Sequence, residues 1–224
     1  MSLSKDRKDR ISEVIKDILL SKIEDFPQLN HKNRNAPFHD LIFSAFEEQL
    51  APMKVPTPYL IAIASWMHGL NTSLGTGFES LAQILSGGYK RKFSKSFTLK
   101  VKRSQSVDIS RIIVELKSGI KPDIRRENEM IFKFDKTEPE VNSLEFTVDN
   151  YIETPRLIEG IELKSVRPNS GEGRGEKEKI LYAKAAFKMS NPNKEIKYYV
   201  GFPFDPTSAI PTGFDKERFF NYLI

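Results

Sequence analysis

The sequence of 224 residues contains no cysteine. This absence excludes disulfide frameworks, thiolate zinc sites and cysteine nucleophiles, and it fits a reducing compartment, so we expect a cytoplasmic protein. Histidine is also scarce. His31, His39 and His68 are scattered without the spacing of metal ligands, which argues against zinc hydrolases and against nucleases that use a histidine-based metal site.

Long apolar runs are absent as well. No segment approaches the roughly 18 apolar residues of a membrane span, and the N-terminal SKDRKDR lacks the apolar core of a signal peptide. The glycine-rich NSGEGRGE lacks the Gly-Lys-Ser/Thr ending of a nucleotide-binding loop. The final FDKERFFNYLI is a helical pattern without a capping residue after it, which is typical of a helix that continues further.

The overall composition is that of a folded globular protein, with 39% hydrophobic and 11% aromatic residues. Lys and Arg number 35 against 30 Asp and Glu, giving a net charge of +5. Nucleic-acid binders share this mild basic bias with many other proteins. The length predicts a single domain over residues 1–224.

Residues 1–88 have the apolar periodicity of helices. One stripe runs from Ile11 to Ile23 and a second from Phe38 to Leu50. A third helix is predicted to start at Thr57, and a fourth to run from about Ser73 to Leu85, before two glycines. This half is therefore predicted to form a helical N-terminal layer.

Residues 89–224 have the pattern of an α/β core. Strands are predicted at 97–101, 144–148, 157–166 and 196–202, and helices at 107–119 and about 176–189. The polar stretch 122–139 is predicted to be a loop with a short strand at MIFKF, and residues 170–175 a glycine loop. The fold class is thus α/β (α+β), a mixed central sheet flanked by helices.

The segment DNYIETPRLIEGIELKS carries the candidate chemistry. Glu162 and Lys164 share one face of a strand because side chains alternate with period two. If the preceding strand pairs with it, Asp149 can reach the same face. Two converging carboxylates suit Mg²⁺, and a neighbouring lysine can orient or deprotonate a water and balance negative charge. These three residues are predicted to hydrolyse phosphodiesters with a metal ion.

An acid two positions before a lysine occurs four times, at Asp6-Lys8, Glu115-Lys117, Glu162-Lys164 and Glu195-Lys197. Only the third lies on a predicted strand with an acid on the strand before it. An exposed hairpin with an ordinary cross-strand ion pair remains an open alternative. Glu153 or Glu159 could also replace Asp149 if the strand register differs.

A basic stripe precedes this segment. Between Ser80 and Val107 there is no acid, whereas seven basic residues occur, among them Lys90, Arg91, Lys92 and Lys95. Such a stripe suits neutralisation of DNA phosphates, which would position a duplex without reading its sequence. A solvated strand face is the alternative interpretation.

The order of acid, Glu-x-Lys, helix and strand resembles the PD-(D/E)xK nuclease superfamily. Four blocks resemble TdeIII-like type II restriction endonucleases: KNRNAPFH at 32–39, NTSLGTGFESLAQIL at 71–85, IELKSVRPN at 161–169 and YYVGFPFDP at 198–206. The chain departs from that pattern in two places, since no proline precedes Asp149 and residues 100–142 match no block of the family.

The resemblance implies a restriction-endonuclease-like fold that cleaves double-stranded DNA with Mg²⁺. It implies Asp149 and Glu162 as ligands, Lys164 beside the attacking water and Glu79 as an accessory acid. Arg167 and Lys177 would contact DNA, Lys177 close to the scissile phosphate, and the site cut would be GGNCC-like. From the sequence alone, Lys177 is instead a lysine on an ordinary helix face, and a solvated helix carboxylate is the alternative for Glu79. Cutting both strands needs two active sites, so we expect a homodimer. The alternatives are a repair or recombination nuclease and a DNA-binding protein without activity.

Overall fold

The structure is a computed structural model, and it describes residues 3–28, 37–94, 99–164 and 170–203. The chain divides into two compact units, Met1–Leu85 and Ser86–Ile224. The first is helical: α1 (Lys5–Glu24), α2 (Pro37–Ala45), α3 (Glu47–Leu50), a 3₁₀ turn (Ala51–Met53) and α4 (Thr57–Ser86). In the part of the chain that the structure describes, no helix is long and apolar enough to cross a membrane.

Helix α4 corrects the prediction of two helices, because it runs without interruption for 30 residues. Its proline lies in the first turn, where no backbone hydrogen bond is lost. Gly77 allows a close approach to α1, since a Cβ there would collide with the side chain of Ile18. Further along, the Trp66 indole donates to the Lys22 carbonyl over 2.9 Å. Packing against α1 thus keeps α4 helical across its internal glycines, which by themselves disfavour a helix.

All strands of the described residues lie in the second unit. Its elements are β1 (Tyr89–Phe93), β2 (Lys100–Lys102), α5 (Arg103–Lys117), α6 (Ile124–Phe132), β3 (Glu140–Asn142), β4 (Phe146–Glu153), β5 (Leu157–Leu163), α7 (Ser170–Ser190) and β6 (Glu195–Gly201). Four strands form a sheet in the order β1-β4-β5-β6, and β2 pairs with β3. The pairs β1·β4 and β4·β5 are antiparallel, and β5·β6 is parallel. The predicted mixed α/β fold is confirmed.

Helix α7 lies between two apolar layers. Ile180, Ala183 and Phe187 pack on the four-stranded sheet, whereas Leu181, Ala185 and Ala186 pack with α5 and α6. The predicted glycine loop at 170–175 is wrong, because α7 already begins at Ser170. Burial along both sides of a helix offsets the low helix propensity of its first-turn glycines.

The stretch 122–139 was predicted as loop with a strand at MIFKF, and this is wrong from Ile124 to Phe132. Asp123 caps α6 there, accepting hydrogen bonds from the backbone N–H of Arg125 and Arg126. The helix buries Glu127 and Ile131. The strand predicted at 97–101 overlaps β2 at Lys100 and Val101, and residues 95–98 lie outside the described ranges. Strand β1, which carries part of the basic stripe, was not predicted from the sequence.

Candidate active site

Asp149 lies at an irregularity of β4. Tyr89 pairs with Tyr151 and Arg91 with Val148, so β4 advances three residues where β1 advances two. The bulge in β4 therefore lies between Val148 and Tyr151, at Asp149 and Asn150. Such bulges redirect side chains and are frequent beside active sites. The Leu163 N–H donates to Asp149 Oδ2 over 2.9 Å, which ties this carboxylate to the end of β5.

Glu162 is on β5, one position beyond the pair Asn150–Ile161, so the antiparallel register sets it opposite Asp149. Its side chain points to the same face as Ile158 and Gly160, and only 5% of the residue is exposed. Lys179 Nζ lies 2.7 Å from Glu162 Oε1. Burial raises the pKa of Glu162 to about 7, against the lowering effect of Lys179. An exposed hairpin is therefore excluded as the environment of Glu162.

Lys164 follows the last residue of β5 and is held in line with it, because its N–H donates to the Gly201 carbonyl of β6 over 3.0 Å. Its ammonium group lies 3.8 Å from Glu162 Oε1 and donates to Glu176 Oε1 over 2.8 Å. Burial lowers the pKa of Lys164, but the hydrogen bond to Glu176 and the nearby carboxylates raise it above its ordinary value overall. This lysine is therefore charged at neutral pH.

Glu176 and Lys179 join this cluster from α7, and the sequence reasoning missed both. Lys179 Nζ is 2.6 Å from Glu176 Oε2, in addition to its contact with Glu162. Burial opposes ionisation of Glu176, yet its hydrogen bonds to Lys164 and Lys179 lower its pKa overall. Helical spacing sets Glu176, Lys179 and Ile180 on one face of the helix predicted at about 176–189, but it does not show which face of that helix meets the sheet.

Tyr198 extends the cluster from β6. It pairs with Gly160 in the parallel register, and a Cβ on Gly160 would lie 2.8 Å from the tyrosine ring, so glycine makes room for this ring. Burial and then the charges of Glu162 and Asp149 raise the pKa of Tyr198. Its hydroxyl is buried and has no hydrogen-bond partner among the described residues.

The alternatives to Asp149 lie elsewhere on the hairpin. Glu153 pairs in register with Ile158 near the turn, where it binds Arg91 at 3.1 Å and Lys194 at 2.7 Å. Glu159 lies opposite Ile152, three positions before Glu162. The register predicted for Asp149 is thus the one found.

The other acid-x-lysine pairs have ordinary surroundings. Asp6-Lys8 and Glu115-Lys117 lie on helices α1 and α5. Glu195 and Lys197, at the start of β6, form an exposed ion pair of 3.1 Å. Glu162-Lys164 is the pair that combines a buried carboxylate with a second acid on the neighbouring strand.

A divalent cation fits the residues at this site. Glu162 Oε2 is buried and has no hydrogen-bond partner among the described residues. A bound cation would supply the partner that a buried carboxylate oxygen ordinarily has. Asp149 supplies the second carboxylate. Within the described ranges no three acids or histidines are grouped as a complete ligand set. Two carboxylates suit Mg²⁺, which keeps several waters and takes further oxygens from a phosphate substrate.

The residues predicted to contact DNA differ in their exposure and in their partners. Lys90 and Lys92 are exposed on β1, and Lys90 Nζ is 4.0 Å from Asp149 Oδ1. Arg91 pairs with Glu153, and its guanidinium lies 4.6 Å from the centre of the Tyr151 ring. Lys95 and Arg167 lie outside the described residues, as does the helical pattern at 214–224.

Lys177 was predicted to contact DNA, but the structure buries it. Only 5% of the residue is exposed, and its ammonium group donates to Glu127 Oε2 over 2.6 Å. Burial lowers the pKa of Lys177 against the raising effect of Glu127. Lys177 thus lies in a buried ion pair on the α6 side of α7, and we propose a structural role for it. Glu79 is half-buried on α4 in the first unit, and its accessory role stays a prediction.

Comparison with known proteins finds type II restriction endonucleases. Residues 3–218 match the family described as type II restriction endonuclease, HinfI. The type II restriction enzyme MjaII of Methanocaldococcus jannaschii is 43% identical over 231 aligned residues, which cover 100% of this chain and 61% of that protein. The chain therefore spans less than two thirds of this relative's length. No solved structure matches the chain.

The type II restriction endonuclease resemblance is confirmed by these matches, whereas the narrower TdeIII-like assignment is not. A family match over almost the whole chain includes every residue of the candidate active site. The chain belongs to the HinfI-type family of type II restriction endonucleases.

Proposed function

We propose that this protein is a Mg²⁺-dependent endonuclease that cleaves double-stranded DNA at a specific short site. The observation that carries the proposal is the convergence of Asp149 and buried Glu162 with Lys164, where the pairing between β4 and β5 ends. The family match and the MjaII relative support site-specific DNA cleavage as the activity.

Asp149 and Glu162 would hold the metal ion. Asp149 Oδ2 is fixed by the Leu163 N–H, and Glu162 Oε1 is fixed by Lys179, so one oxygen of each carboxylate is oriented by the protein. A bound Mg²⁺ would lower the pKa of a coordinated water and neutralise charge on the leaving oxygen. The protein would thus present a largely buried pair of carboxylates to the phosphate.

Lys164 would act as a cation and hydrogen-bond donor at the attacked phosphate. Its raised pKa keeps the ammonium protonated, which favours orientation of the water and stabilisation of negative charge over proton abstraction. Glu176 anchors the ammonium at 2.8 Å and so limits the positions that this flexible side chain can take.

Lys90 and Lys92 would contact the DNA backbone next to this site. Both are exposed on β1, and Lys90 already lies beside Asp149, where a phosphate approaching the metal would pass. Arg91 would have a different role, since its ion pair with Glu153 and its place over two aromatic rings hold it on the sheet. We further propose a homodimer, because two active sites are needed to cut both strands.

The test is a digest of phage DNA with Mg²⁺, comparing the natural protein with Lys164→Ala and with Lys117→Ala. Lys117 belongs to a look-alike pair on α5 and is the matched control. We expect discrete fragments from the natural protein and from the control, and a rate at least about 100-fold lower for Lys164→Ala. Retained DNA binding by Lys164→Ala in a gel shift would place the loss in the chemical step.

Absence of cleavage by the natural protein, or full activity of Lys164→Ala, would refute the proposal. Cleavage confined to junctions or frayed ends would favour a repair nuclease instead. Sequencing the fragment ends would identify the recognition site and so test the GGNCC-like prediction. Sedimentation with and without DNA would test the homodimer.

A further inference from the structure

We propose that Lys179 is an internal counter-cation that competes with the divalent metal ion for Glu162, and that Glu176 weakens this competition by binding the same lysine. The inference rests on the proposed function, because it concerns the metal site of the nuclease. It assigns Lys179 and Glu176 as positioning residues that set how tightly the site takes its metal.

The contacts distinguish Lys179 from Lys164. Lys179 Nζ lies 2.7 Å from Glu162 Oε1, in direct ion-pair contact, whereas Lys164 Nζ is 3.8 Å from the same oxygen. Lys164 makes its short contact with Glu176 instead. The lysine of the Glu-x-Lys motif is therefore not the one that neutralises Glu162; a lysine from α7 does so.

Lys179 has a second carboxylate within reach. Glu176 Oε2 is 2.6 Å from its ammonium group, one helical turn away on α7. A lysine shared by two acids can remain bound to one when the other takes a new cation, and its flexible stem needs little movement for this. Glu176 is thus placed to keep Lys179 when a metal ion binds Glu162.

The balance of charge gives the direction of the effect. When all three carboxyl groups are ionised, Asp149, Glu162 and Glu176 supply three negative charges, against two positive charges from Lys164 and Lys179. A dication at Glu162 would be repelled by an ammonium group on the same carboxylate, and this repulsion is strong where water is largely excluded. Removal of the Lys179 charge should therefore strengthen metal binding, whereas removal of the Glu176 charge should weaken it.

The experiment is a calorimetric titration with Mg²⁺ alone, without DNA, on the natural protein, Lys179→Met, Glu176→Gln and Lys188→Met. Lys188 is the matched control, because it lies on the same helix but binds the carbonyls of Pro192 and Lys194. We expect Lys179→Met to bind Mg²⁺ roughly tenfold more tightly, Glu176→Gln to bind it several-fold more weakly, and the control to be unchanged.

Cleavage measured across Mg²⁺ concentrations adds a second readout. Lys179→Met should reach its half-maximal rate at a lower Mg²⁺ concentration while its maximal rate falls, since Glu162 loses the contact that orients it. A purely structural role would weaken metal binding and activity together. Because Glu176→Gln changes affinity in the opposite direction, the inference stays testable if one variant folds poorly.

Unchanged or weaker Mg²⁺ binding by folded Lys179→Met would overturn the inference, as would tighter binding by Glu176→Gln. Either result leaves the proposed function standing if the natural protein binds Mg²⁺ and cuts DNA. A natural protein that neither binds Mg²⁺ nor cuts DNA would overturn the proposed function itself.

Discussion

Glu162→Gln should change how the stability of this protein depends on pH. Burial raises the pKa of Glu162 to about 7 from an ordinary value of 4.5, so the folded protein retains a proton that the unfolded chain has released. Stability contributed by this group is fully present below about pH 4.5 and is lost as the pH rises through about 7. Ionised Glu162 is thus a destabilising group in the absence of a metal ion.

The size of the effect follows from the gap between 4.5 and about 7, at about 1.4 kcal/mol for each pH unit. This gives about 3 kcal/mol, or roughly 6–12 °C in melting temperature for a chain of this size. Glutamine has the same shape and no charge. Part of this loss occurs below pH 5, so the natural protein should lose about 2.5 kcal/mol relative to Glu162→Gln between pH 5 and pH 8.5.

Urea unfolding of both proteins at the two pH values, with EDTA present, measures this difference. All other titrating groups are shared, so the comparison isolates Glu162. Mg²⁺ added at pH 8.5 should stabilise the natural protein more than the variant, because a ligand that binds the folded state raises its stability. Parallel stability curves for the two proteins would refute the assigned environment of Glu162.

Two further predictions concern packing around the site. Glu127→Gln should destabilise the protein by about 3–5 kcal/mol in urea unfolding, because it leaves the Lys177 ammonium buried without its partner; a loss below about 1 kcal/mol would contradict that pairing. Gly160→Ala should cost about 1–3 kcal/mol, since its Cβ would press on the Tyr198 ring, whereas Gly175→Ala, with open space around it, should be neutral or stabilising in a thermal melt. Equal melting temperatures for the two alanine variants would contradict the close approach at Gly160.

The boundary errors have physical causes. Two short helices were predicted where α4 is continuous, and a loop where α7 begins, because glycine lowers helix propensity locally while packing restores it. The helix missed within the loop predicted at 122–139 has local signals in the sequence, because Asp123 caps it and the buried Glu127 and Ile131 lie four residues apart on one face.

The sequence by itself predicted which residues share one face of a strand. Period-two alternation sets Glu162 and Lys164 on one face, and a β-hairpin brings Asp149 opposite in one strand register, whereas another register would have brought Glu153 or Glu159 instead. These relations are local, because they depend on one strand and its immediate neighbour.

Only the tertiary structure decided which groups surround those carboxylates. Lys179 and Glu176 reach Glu162 from α7, and the same helix turns Lys177 away into a buried pair with Glu127. Which face of α7 meets the sheet depends on how two apolar layers pack on either side of it. Lys177 and Lys179 are two positions apart but bind carboxylates on opposite sides of α7. No local pattern could show which of them reaches the active site, because long-range packing decides it.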